Sequence, residues 1–285
     1  MGTFNYDLVK DPTYFNDNRV AAHSDHKYYA SVDAMEQDVD NFRHSLNGLW
    51  KFHYAKNYNS TIPGFEKTEY CCKSWDDIRV PAHIQMEGYD VPQYANVQYP
   101  WEGREEVEPG QIPERFNPVA SYVKYFEVPE EMEGKKVFIS FQGAESGIAV
   151  WLNGNFVGYS EDTFTPSEFE LTPYLKEGEN KLAAQVFKWT SSSWCEDQDF
   201  FRFSGIYRDV YLYAIPEDPD TSGRYLHQSG SGDRYQSYQG RKSKNHLIQR
   251  RKKTAECRRD TGRGVSVCDE SGESCTVVRR ISCFI

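Results

Sequence analysis

Asn153-Gly154 stands between two apolar runs, GIAVWL and NFVGYS, within residues 147–160. Asn-Gly is the pair that most readily takes positive φ at both central positions of a two-residue hairpin, so this stretch predicts two antiparallel strands and little else. Further short runs of the same kind flank it, each stopped by a turn signal. SYVKYFEV (121–128) alternates and ends at Pro129, KKVFISFQG (135–143) follows a charged turn, and KLAAQVFKWT (181–190) and DVYLYAI (209–215) complete the series. Strands at this spacing, without long amphipathic helices between them, predict an all-β, antiparallel jelly-roll sandwich. SEFELTPYLKEGENKL (167–182) reads as a turn-rich crossing in which Pro173 confines any helix to a short flank.

Upstream, the pattern is less regular. SVDAMEQDVDNFRHSLNG (31–48) predicts one or two helical turns capped by Ser31, and LWKFHYA (49–55) alternates as a strand. From Pro81 to Pro100 the chain carries Pro81, Gly88, Pro92 and Pro100, which predicts an extended, ordered loop wrapped on the sandwich. Its aromatics Tyr89, Tyr94, Tyr99 and Trp101 are expected to bury area against the ordering entropy.

The net charge of −10 over 285 residues hides a seam. Residues 1–220 carry 19 Lys+Arg against 37 Asp+Glu, a net of −18, and 39 of the 43 aromatics. Residues 221–285 carry 14 against 6, a net of +8. The expected organisation is therefore an extended N-terminal arm at 1–45, a jelly-roll domain at 46–219 and a basic, low-order, disordered tail at 220–285. The acidic bulk argues against a nucleic-acid partner, and no apolar run of membrane-spanning length argues for a membrane. MGTFNYDLVK lacks the basic-then-apolar pattern of a secretory leader, so a cytoplasmic setting with reduced Cys71, Cys72 and Cys195 is expected.

Sites of known spacing are scarce. His23, Asp25 and His26 include ligand types but match no zinc spacing, and a hydrogen-bonded loop is the simpler reading. There is no phosphate-binding glycine loop, GxSxG elbow or HExxH. The densest polar cluster is SSSWCEDQDFFRFSGIYRD (191–209), where Glu196, Asp197 and Asp199 stand among Trp194, Phe200 and Phe201, with Arg202 and Arg208 near by. A solvated acidic turn would have this composition. So would a sugar site, in which rings stack on the apolar face of a pyranose and carboxylates accept from its hydroxyls. Asn96 in YANVQYPWEG (94–103) is a second candidate, because a primary amide both donates and accepts.

Three segments carry a resemblance. VPAHIQMEGYDVPQYANVQYPWEG (80–103), SGIAVWLNGNFVGYSEDTFTPSEFELT (146–172) and CEDQDFFRFSGIYRDVYL (195–212), in this order, resemble the amino-terminal part of family 2 β-galactosidases, and the likeness runs from about residue 11 to about 216. The resemblance implies a galactose-binding-like jelly roll ahead of an immunoglobulin-like domain and a (β/α)8 barrel. It also implies a retaining hydrolase of terminal β-galactosides such as lactose, with carbohydrate as partner. It places Asn96 (in NVQYP) and Asp199 (the second Asp of EDQD) at the galactose. Asp199 would also bind Na+ or K+, its other ligands coming from the barrel, and the full enzyme would use Mg2+ as well.

The same resemblance implies that this chain is not itself a hydrolase. Retaining glycosidases need two carboxylates about 5 Å apart. In the family both are Glu residues on the barrel, the acid/base following an Asn, and this sequence has no Asn-Glu pair. No catalytic side chain is therefore assigned here. A stand-alone carbohydrate-binding module and one half of a split β-galactosidase are the alternatives. The tail has a further reading. GRYLHQSGSGDRYQSYQGRKSK (223–244) can be back-translated so that a one-base shift reads EDIYIKAVLEIDIKAIKVESQ, with Ile and Val in strand-like alternation. A frameshift near residue 219 would explain the abrupt change of character, and the nucleotide sequence from codon 210 onward tests it.

Overall fold

The computed structural model describes residues 4–23, 26–29, 31–40, 42–108, 110–195 and 199–215, and four short strands beyond them. It is an antiparallel β-sandwich with one short α-helix among these residues, α1 (Val32–Glu36), whose N-cap Ser31 accepts from the Ala34 amide. The strands in chain order are β1 (Asn16–Asp17), β2 (His26–Tyr29), β3 (Arg43–Ser45), β4 (Gly48–Ala55), β5 (Asp76–Val80), β6 (Gln93–Ala95), β7 (Val119–Phe126) and β8 (Lys136–Phe141). They continue with β9 (Ala144–Glu145), β10 (Gly147–Leu152), β11 (Asn155–Ser160), β12 (Ser167–Glu170), β13 (Asn180–Phe187), β14 (Phe200–Arg202), β15 (Gly205–Ile206) and β16 (Val210–Ile215). A seven-stranded sheet in the order β1-β11-β10-β13-β7-β4-β5 faces a four-stranded sheet in the order β12-β8-β16-β3.

The Asn153-Gly154 hairpin forms as expected. Asn153 has φ 52° and Gly154 φ 82°, the pair of positive angles that a tight turn between right-twisted strands requires. Asn153 also works outside the turn: its side-chain oxygen accepts from the Lys181 amide at 3.0 Å, tying the hairpin to β13. The jelly-roll expectation is met, and so is the strand at 49–55.

Three local expectations change. The stretch 167–182 is not turn from its start, since Ser167–Glu170 is β12 and pairs with β8, and Pro173 lies inside the following one-turn 3-10 helix Thr172–Tyr174. Phe169 drives this: it is fully buried in the core between the sheets. The stretch 81–100 holds a 3-10 turn at Ile84–Glu87 and strand β6, so it is more structured than a loop. The run 121–128, read as alternating, does not alternate in burial, since residues 119–123 of β7 are all buried. All six residues of β10 and all eight of β13 are buried, because the large sheet is covered on both faces.

Ile148, Val150 and Leu152 of β10 and Leu182, Ala184 and Val186 of β13 point into the core shared with the small sheet. Ala149, Trp151, Ala183 and Phe187 point the other way, into a second apolar layer roofed by Phe4, Tyr6, Val9, Tyr58, Phe65 and Trp75. Each fully buried large side chain contributes about 1.5–3 kcal/mol. The early part of the chain thus wraps the sandwich. It also joins it, since β1 pairs with β11 as an edge strand. There Gly158 leaves no room for a side chain, as a Cβ would lie 2.5 Å from the Asp17 carbonyl oxygen.

Among the described residues His23 hydrogen-bonds Glu168 at 2.7 Å and no group of three or more His, Cys, Asp or Glu side chains is placed to hold a metal ion. The side chains of Asp25 and His26 lie outside the described residues. Cys71, Cys72 and Cys195 are free thiols, and no described helix is long and apolar enough to cross a membrane. Of the tail expected at 220–285, only β17 (Leu226–Ser229), β18 (Arg234–Gln236), β19 (Val265–Cys268) and β20 (Cys275–Val278) are described. The rest of that expectation, its disorder and frame included, lies outside them.

Candidate functional site

Two distant segments meet in a small ladder at one end of the sandwich. β6 and β14 pair antiparallel, with Ala95 opposite Phe200, Tyr94 opposite Phe201 and Gln93 opposite Arg202. Asn96 follows Ala95 and Asp199 precedes Phe200, just past the Ala95–Phe200 end of the ladder. Residues 103 positions apart in sequence are thus brought to the same end of one short ladder.

The two faces of this ladder differ. Strand alternation puts Tyr94 and Asn96 on one side of β6 and Gln93 and Ala95 on the other. Tyr94, Asn96, Asp199 and Phe201 are exposed, whereas Ala95 and Arg202 are buried against the sandwich. The exposed face therefore carries an amide, a carboxylate and two aromatic rings. Tyr94 donates its hydroxyl to the Asp199 carboxylate, and this bond pushes the Tyr94 phenol above its ordinary pKa. Asp199 takes a left-handed backbone, φ 57°, which turns the chain sharply just ahead of β14; Asp is among the few side chains that tolerate it. Asn96 lines a 230 Å³ cleft with Tyr94, Gln98, Tyr99, Glu102 and Arg104.

Aromatic packing holds the loop after Asn96. Tyr99 and Trp101 stack at 5.4 Å between ring centroids, and Trp194 meets Tyr99 at 4.5 Å and Trp101 at 5.1 Å. Trp189 closes the cluster edge-on to Trp101 at 5.9 Å. Of the ring residues expected to order this region by burial, Trp101 does so and Tyr94 does not. Tyr94 is 56% exposed, and its hydroxyl serves the site. Its position two residues before Asn96 in a short strand was the signal that placed it there. Phe200 and Phe201 are both exposed but point to opposite sides of β14, while Trp194 belongs to the supporting cluster. Arg208 lies apart from the ladder and donates to the Phe164 carbonyl at 3.0 Å. Glu196 and Asp197 lie outside the described residues.

Residues 43–216 match the family described as glycosyl hydrolases family 2, sugar binding domain. The chain belongs to glycosyl hydrolase family 2. A β-galactosidase of Halalkalibacterium halodurans is 56% identical over 213 residues, which is 74% of this chain and 21% of that protein. One of Streptococcus thermophilus is 51% identical over 228 residues, 79% of this chain and 22% of that protein. A β-galactosidase large subunit of Latilactobacillus sakei is 44% identical over 224 residues, 74% of this chain and 36% of that protein. The chain thus spans about a fifth to a third of the length of these relatives.

In this family 2 domain the segment that leads into Asp199 is anchored by a buried carboxylate. Glu161 accepts from Tyr159 Oη at 2.8 Å, from Ser191 Oγ at 2.9 Å and from the Ser192 amide at 3.0 Å. Burial pushes its carboxyl above the ordinary 4.5. The folded chain then holds a proton here more readily than the unfolded chain does. Between the unfolded and folded pKa values its contribution makes stability fall as pH rises, and the penalty is complete above the folded value. Glu161→Gln removes the charge and keeps one of the two accepting oxygens, its NH2 taking the place of the other. Its thermal midpoint, taken relative to the parent's, should be highest at pH 7 and fall as pH drops towards 4.5. A difference that does not change with pH would refute this.

Proposed function

We propose that this chain supplies one wall of the galactose pocket of a β-galactosidase, with Asn96 and Asp199 as the groups that meet the sugar hydroxyls. The observation that supports it is the β6–β14 ladder. It sets an amide, a carboxylate and exposed rings on one face, the combination that hydroxyl recognition and pyranose stacking require. Asp199 accepts from one or two hydroxyls, Asn96 both donates and accepts, and the Tyr94 hydroxyl orients the Asp199 carboxylate. On this reading the acid/base and nucleophile come from the remaining four-fifths of the enzyme, so the chain alone does not turn over galactosides.

The donor set does not by itself fit the cations that the resemblance implies. Asp199 offers one exposed carboxylate, already accepting from Tyr94, so it would be at most one ligand to Na+ or K+, and no residue of this chain is assigned to Mg2+.

A chimaera tests the reading. Residues 11–216 of this chain replace the matching part of the Halalkalibacterium halodurans enzyme, and hydrolysis of a chromogenic β-galactoside is followed. Activity within about tenfold of the parent enzyme is expected. Calorimetry of the chain alone with galactose should show no heat above dilution; a clear binding isotherm would favour the stand-alone carbohydrate-binding module. The large-subunit relatives support a second reading, a split enzyme, in which mixing this chain with a separate barrel-bearing partner yields activity without fusion.

A further inference from the structure

The Gln93–Arg202 end of the β6–β14 ladder, the end away from Asn96 and Asp199, is tied to the sandwich by a buried polar chain. Lys188 follows the last residue of β13 and pairs with Asp90, their side chains 1% and 2% exposed. The same Asp90 oxygen accepts from Gln85 Nε2 at 2.9 Å, and that nitrogen also donates to Ser204 Oγ at 2.9 Å. Gln85 Oε1 accepts from the Ser204 amide at 3.0 Å, and the Ser204 carbonyl accepts from the Ile84 amide at 3.0 Å. Asp90 stands three residues before β6 and Ser204 two residues after β14. One chain of contacts therefore runs from the end of the central strand β13 to both strands of the ladder, at the same end of each.

Stability alone does not account for this chain. A buried ion pair is seldom more stabilising than well-packed apolar residues of the same volume, whereas its geometry is far more specific. A two-stranded ladder is marginal without support, and here the outer face gives none, because Tyr94 and Phe201 are exposed. The ladder's position depends on what grips it from within. The Gln85 amide uses both its ends for this purpose. We infer that Lys188, Asp90, Gln85 and Ser204 form a positioning bracket that fixes one end of the ladder and so sets the place of Asn96 and Asp199 at its other end. Lys188 and Gln85 are positioning residues, and neither is required to touch the sugar.

The inference rests on the proposed function only for its purpose, and its test needs no sugar. In the full 285-residue chain, Lys188→Met with Asp90→Leu replaces the pair by apolar side chains. Gln85→Met keeps the pair and cuts only the link from Asp90 to Ser204. Amide hydrogen exchange is compared for the ladder (93–95 and 200–202) and for β10 and β13, and the Tyr94 phenol is titrated by carbon-13 NMR. In both variants the ladder amides should exchange at least tenfold faster and Tyr94 should titrate nearer its ordinary value, with β10 and β13 unchanged. Ladder exchange within twofold of the parent in whichever variant folds overturns the inference. So does a loss of protection spread evenly over the central strands, which would make the bracket a general stabiliser. A ladder that loosens as stated beside an inactive chimaera would sink the sugar reading and leave the bracket standing.

Discussion

Asp199→Ala in the chimaera should lower kcat/KM for a β-galactoside by about 10²–10³-fold. A hydrogen bond to an ionised acceptor contributes roughly 1.5–3 kcal/mol. Truncation also leaves a sugar hydroxyl unpaired in a closed pocket, and each further 1.36 kcal/mol is another tenfold. Asn96→Ala removes neutral bonds of about 0.5–1.5 kcal/mol and should cost about tenfold. Asn96 is exposed in this domain, so Asn96→Ala should not move the thermal midpoint by more than about 1 °C, whereas Asp199→Ala also puts Ala on a backbone of φ 57° and lowers the midpoint further. Tyr94→Phe should fall between them, because it leaves the carboxylate in place without its orienting hydroxyl. A loss below threefold for Asp199→Ala, with the fold intact, would remove Asp199 from the pocket.

Lys181→Met should cost about 3–5 kcal/mol of stability, a large part of the 5–15 kcal/mol that a domain possesses. Lys181 lies on β13 and is 3% exposed. Its ammonium donates to the carbonyls of Phe65 at 2.8 Å, Lys67 at 2.6 Å and Tyr70 at 2.9 Å. Three acceptors on one turn of loop thus converge on a single cation rooted in the central sheet. Methionine nearly fills the volume of the stem but offers no donor, so the loss isolates the ammonium. The loop it holds carries Phe65, and Phe65 stacks on Trp75 at 5.6 Å between centroids in the roof of the second apolar layer. In urea the midpoint should drop by about 1–2 M with the slope unchanged. A drop worth less than about 1 kcal/mol would mean that the loop finds other donors or water at little cost.

Much of the sandwich was legible in the chain. Asn153-Gly154 fixed one hairpin, and the runs at 121–128, 135–143, 181–190 and 209–215 each became a strand because their turn signals are local. The strand at 167–170 was missed because Pro173 and the surrounding polar residues mask it. What decides it is Phe169 meeting the core, a contact with residues far away in sequence. The full burial of β10 and β13 was likewise invisible, since the roof over their outer face comes from Phe4, Tyr6 and residues 58–75. Asn96 and Asp199 were candidates by side-chain chemistry, and the resemblance alone singled them out from their neighbours. Tyr94 was misjudged as packing, and Glu161, Lys181 and Lys188 gave no signal at all. A buried charged residue reads in sequence like any surface one until its partners are brought to it.

The seam near residue 220, the antiparallel strands and the chemistry of the 191–209 cluster were determined by the sequence alone, because charge, turn propensity and side-chain type act at short range. Only the tertiary structure decided that Asn96 and Asp199 come to the same end of one ladder, and that Lys188 and Gln85 anchor its other end. Those facts depend on strand register and on hydrogen bonds between segments more than ninety residues apart, and the folded sandwich supplies both.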